Sequence, residues 1–79
     1  MSAVHTPGPW RLSGKATVRV GDAWIARVLW YNQANNARLI AAAPDLLTAL
    51  KDLLAEVHFE SSSTRDARAA IANAEGKAP

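Results

Sequence analysis

The residues best equipped for chemistry are few: two histidines, seven carboxylates, six arginines and three tryptophans, with no cysteine at all. A catalytic nucleophile needs a base within hydrogen-bond reach, and that base needs an orienting partner. His5 stands just ahead of Pro7 and Pro9 in an irregular lead-in, and His58 stands near a helix end, where the helix dipole favours a protonated imidazole. Without cysteine, disulfides and thiolate zinc sites are excluded. No nucleophile elbow, phosphate loop, zinc-protease helix or calcium loop occurs. Asp45, Asp52 and Glu56 fall where a helix would present its solvated side. These absences lead to the expectation of a protein that is not an enzyme and needs neither metal nor cofactor.

The chemistry that remains is adhesive. Residues 23–30 are rich in Trp, Ile, Val and Leu and read as a strand. Strict alternation puts Trp24, Ala26, Val28 and Trp30 on one face, and Ala23, Ile25, Arg27, Leu29 and Tyr31 on the other. Both faces carry large apolar groups, but a helix layer covers only one face of a small sheet. Either the lead-in and Trp10 fold over the second face, or a strand end is merely half exposed, or that face is a contact surface. Trp and Arg are enriched where binding energy concentrates, so Trp24, Trp30, Arg19 and Arg27 form the expected partner-binding set. Arg38, preceded by Asn35 and Asn36, joins it as a ligand-reading cation, with an ordinary exposed helix cation as the other reading.

The elements that must position these groups follow from punctuation and period. Residues 10–12, 16–20 and 23–30 read as three strands separated by Ser13-Gly14-Lys15 and Gly21-Asp22, hence a three-stranded antiparallel meander. Asn32 suits an N-cap. The first helix is expected to end near Ala42, because Pro44 cannot donate to the preceding turn and steers Ala43 away from helical geometry; one kinked helix is the alternative. Leu46, Leu47, Leu50, Leu53, Leu54 and Val57 follow a helical period and read as a core stripe, part of which could seal a homodimer. Ser63 with Asp66 resembles a capping box opening a third helix at 64–75, with Gly76 as its stop. The expected fold class is α+β: a short meander followed by two to three helices packed on one face, in a single small domain over residues 1–79, with an irregular lead-in at 1–9 and a frayed tail at 76–79.

Composition narrows the partners. A chain of 79 residues buries a smaller share of its surface than a larger domain does. Its net charge of +2, with cations scattered along the chain, argues against direct nucleic-acid binding and equally against an acidic mimic of DNA. No stretch is long and apolar enough to span a bilayer, and no secretion signal opens the chain, so a cytoplasmic location is expected.

Two segments, His5-Thr6-Pro7-Gly8-Pro9-Trp10 and Asn36-Ala37-Arg38-Leu39-Ile40-Ala41-Ala42-Ala43-Pro44-Asp45-Leu46-Leu47, resemble a group of short bacteriophage and prophage accessory proteins sharing an "HTPGPW" opening and an "ANARLIAAAP(D/E)LL" helical signature. The resemblance spans roughly residues 5–54. It implies a phage-encoded counter-defence protein of the anti-CRISPR type, acting in the host cytoplasm. Such a protein would bind a host defence complex, such as a CRISPR surveillance complex, and inhibit it sterically. The alternative is an oligomeric sponge that sequesters a nucleotide immune second messenger, with Arg19, Arg27 and Arg38 meeting phosphates and Trp24 or Trp30 stacking on a base.

Overall fold

The structure, a computed structural model, describes residues 5–29 and 32–76. The elements run β1 (Arg11–Ser13), β2 (Thr17–Val20), β3 (Ala23–Arg27), α1 (Gln33–Ala55) and α2 (Ser62–Ala74). This is the expected α+β class, a three-stranded antiparallel sheet in the order β1-β2-β3 followed by two helices. The chain divides into two compact units: Pro7–Asp45, and residues 46–76 together with His5 and Thr6.

In the Pro7–Asp45 unit, Gly21 and Asp22 alone separate β2 from β3, and Val20 pairs with Ala23. Gly21 has φ of 55° while Asp22 has no positive φ, the sign pattern of the hairpin turn that takes Gly first. The reversed Gly-Asp order is therefore a turn signal in its own right. β3 is shorter than the expected strand and ends at Arg27, although the Val28 amide still donates to the Ala16 carbonyl at 2.6 Å. Trp30 and Tyr31 lie outside the described residues. Asn32 holds the capping position before α1 with φ of 53°, a left-handed conformation that Asn tolerates, and its carbonyl accepts from the Asn36 amide at 2.9 Å. The Gln33 side chain donates to the Val28 carbonyl at 3.2 Å, tying the helix start to the strand end.

Pro44 does not end the first helix. α1 is one helix of 23 residues with Pro44 inside it, the alternative of the two sequence readings. A proline here removes a single ladder bond, to the Ile40 carbonyl, and the remaining turns hold. Its ring is buried, and a Cβ added at Gly8 would sit 3.3 Å from the Pro44 Cβ. Gly8 therefore lies against Pro44 in a space that suits a residue with no side chain; the Gly8–Pro9 peptide bond is cis. The buried residues of this unit are Val18 on β2 and Ala37 and Pro44 on α1.

In the second unit, the expected start of α2 shifts. Its N-cap is Ser61, in extended conformation, and Ser61 with Thr64 forms the capping box. The Thr64 amide donates to Ser61 Oγ at 3.2 Å, and the Ser61 amide donates to Thr64 Oγ1 at 2.7 Å. Ser63 with Asp66 does not open the helix, because Ser61 already satisfies the free amide two residues earlier than expected. Thr64 is buried, and its hydroxyl also donates to the Glu60 carboxylate. Gly76, at φ 72°, ends α2 as expected. Lys51 Nζ meets Glu75 Oε2 at 2.7 Å, linking the end of α1 to the end of α2. The leucine stripe is not a sealed core: Leu46 and Leu53 are 54% and 60% exposed, whereas Leu47, Leu50, Leu54 and Val57 are half-buried. A stripe wider than the single short helix available to cover it leaves its margins in solvent.

Ser61→Ala removes a capping hydrogen bond and is expected to destabilise the chain by about 1 kcal/mol in urea unfolding. Gly8→Ala forces a methyl onto a rigid, buried ring. The clash is expected to outweigh the entropic benefit of losing a glycine, for a net loss of about 1 kcal/mol by the same measurement.

Candidate functional site

The site is built by strand register within the Pro7–Asp45 unit. Directly opposed residues of an antiparallel ladder share a face. Arg11 pairs with Arg19, and Arg19 pairs with Trp24; Ser13 pairs with Thr17, and Thr17 pairs with Arg27. Leu12, Val18 and Ala26 form the intervening row on the other face. Val18 has 0% exposure, so its face is covered at its centre, while Leu12 in the same row is 36% exposed. The opposite face, bearing Arg11, Ser13, Thr17, Arg19, Trp24 and Arg27, is open, and Trp24 is 62% exposed.

This corrects the strict alternation expected for β3. The register shifts between Val18 and Arg19, leaving Ile25 as an extra residue between Trp24 and Ala26. A bulge inverts the alternation beyond it. Trp24 and Ala26 therefore lie on opposite faces, and Trp24 and Arg27 on the same one. The inversion has a physical logic: without it, Arg27 would fall on the Val18 face, where desolvating a guanidinium is costly. With it, small Ala26 lies beside Val18 and Arg27 reaches solvent.

The structure thus brings together Arg19, Trp24 and Arg27 from the expected set. Trp30 lies outside the described residues. Arg38 belongs to α1, not to the sheet, and donates to Asn35 Oδ1 one turn back at 2.9 Å, which supports its reading as an exposed helix cation. The residue that sequence reasoning missed is Arg11. Its signal was available in the short Ser13-Gly14-Lys15 turn, which folds β1 back so that Arg11 faces Arg19.

Electrostatically, the open face is under-compensated. Among the described residues, neither Arg11 nor Arg27 has an ion-pair or hydrogen-bond partner for its guanidinium. Arg19 reaches only fully exposed Asp22, at 3.9 Å to the carboxylate and 3.5 Å to the carbonyl, and its Nε is buried with no hydrogen-bond partner. Like charges directly opposed across strands cost about 0.2–1 kcal/mol, so the Arg11–Arg19 pair is a local liability for folding. The two arginines line an open depression of about 360 Å³ with Leu12, Ser13, Gly21 and Asp22. No group of acidic, histidine or cysteine side chains able to hold a metal occurs among the described residues. His5 Nδ1 lies 2.9 Å from the Thr6 carbonyl, and exposed His58 follows the end of α1. No helix among the described residues is long and apolar enough to cross a membrane.

The family model for Salmonella phage P22 protein Y8K6 matches residues 1–78 of this chain. The chain belongs to this phage protein family. Neither the curated proteins nor the solved structures gave a match. Family membership fits a phage accessory protein.

The two faces of the sheet are expected to respond oppositely to truncation. Val18→Ala should cost about 2 kcal/mol in urea unfolding, as a buried side chain does, whereas Trp24→Ala should change stability by no more than about 0.5 kcal/mol.

Proposed function

We propose that this phage accessory protein acts in the host cytoplasm as a stoichiometric inhibitor, binding a host defence complex such as a CRISPR surveillance complex through the open sheet face and blocking it by bulk. The reading is non-catalytic and needs no cofactor. The observation that carries it is the alignment of exposed Trp24 with Arg19 and Arg27 on a face left uncovered within its own unit. Large aromatic and guanidinium groups are the side chains that dominate protein-binding hot spots. Arg27 without an ion-pair partner among the described residues, and Arg19 paired only with fully exposed Asp22, favour an acidic partner surface, since complementary charge steers association and fixes register. Membership of a phage family supports a host-directed role.

The test is capture from a host lysate on immobilised wild-type chain, followed by a target-DNA binding assay on the captured assembly. A defence complex is expected to co-purify and to lose DNA binding. Trp24→Ala with Arg27→Glu is expected to weaken capture at least tenfold while the variant keeps a cooperative unfolding transition. Recovery of no defence assembly, or equal capture by the folded double variant, rejects the reading.

A further inference from the structure

The cross-strand row Arg11–Arg19–Trp24 places two unlike recognition elements side by side on one face. At one end, Arg11 and Arg19 line the depression that also holds Ser13 and the Gly21 turn. At the other, the Trp24 indole is largely exposed. Neighbouring strands lie about 4.8 Å apart, so the row is about 10 Å long between its outer Cα atoms.

We propose that this row is a binding site for a nucleoside phosphate, with the phosphate between Arg11 and Arg19 and the base stacked on Trp24. The argument begins with charge. Two opposed arginines repel, and one has a buried, unpartnered Nε. A phosphate group, with close to two negative charges and several acceptor oxygens, relieves the repulsion by charge-assisted hydrogen bonds to the accessible terminal nitrogens of the two guanidinium groups. The Asp22 carboxylate, at 3.9 Å from Arg19 and fully exposed, is a weak internal counter-ion that an incoming phosphate displaces. Stacking on an exposed indole supplies the rest, because every base offers a π-face. The extent of the site separates this ligand from a polymer. One row of about 10 Å fits a single nucleotide, and a net charge of +2 supplies no continuous basic track for a strand. Arg11 is essential to this arrangement, and Arg38, held by Asn35, is outside it.

The inference does not rest on the host-complex reading. Its test uses purified full-length chain titrated with inorganic phosphate, the four nucleoside monophosphates and a phosphoserine peptide, followed by NMR of the arginine Nε–H and tryptophan indole N–H resonances. A nucleoside monophosphate is expected to bind at least tenfold more tightly than inorganic phosphate, shifting the Arg19 and Trp24 signals together. Trp24→Ala should reduce nucleotide affinity to that of phosphate. Arg11→Thr should abolish binding of both while holding or raising the melting temperature, which a merely structural arginine would not do. Asp22→Asn should tighten binding several-fold. Equal affinity for phosphate and nucleotides, tighter binding of the phosphopeptide, or no response at millimolar ligand overturns the assignment. A chain that captures a defence complex yet ignores nucleotides overturns this inference alone.

Discussion

The register of the β2–β3 ladder is the constraint on which the candidate site depends. Gly21 supplies the positive φ of a two-residue turn, which places Arg19 opposite Trp24. The extra residue at Ile25 then inverts the pleat, carrying Arg27 to the Trp24 face and leaving Ala26 beside Val18. Both devices are local backbone features, and together they sort the side chains of a very short sheet into a covered apolar face and an open cationic one. A one-residue slip would move every side chain beyond it to the other side.

A second constraint ties the lead-in to the long helix. Gly8 lies close to the buried Pro44 ring, where an added Cβ would sit a tight 3.3 Å from the Pro44 Cβ. The opening segment and the alanine-rich helix segment are thus two halves of one packing contact inside the Pro7–Asp45 unit. This contact accounts for a proline tolerated within a helix: the lost ladder bond is one among many, and the ring is buried against the lead-in instead of being left in solvent.

The small size of the covered interior bears on function. Few side chains are fully buried, and Trp24, Leu29, Leu39, Leu46, Leu53 and Phe59 all remain exposed. A short chain cannot bury all of its large residues, so exposure by itself marks no site. What sets Trp24 apart from the exposed leucines is its company: three arginines on the same face, weakly compensated, one with a buried nitrogen lacking a partner. Neighbouring arginines with a weak internal counter-charge gain more from an external anion than an isolated solvated arginine does.

The α+β class, the three strands, the turns at Gly14 and Gly21 and the stop at Gly76 were legible in the sequence, because each rests on residues close together in the chain. The α2 start was misplaced by two residues, since several consecutive serines and threonines can each cap a helix and only backbone geometry selects Ser61. At Pro44 the continuous-helix alternative holds over the break, and only part of the leucine stripe is buried, because helix continuity and burial depend on what packs against a segment. Trp24, Arg19 and Arg27 were picked out as candidates from residue type and strand position. Their convergence, and the recruitment of Arg11, was decided by strand pairing. Composition carries charge and apolarity, but a bulge is a property of two strands at once, and no single strand's pattern reveals it.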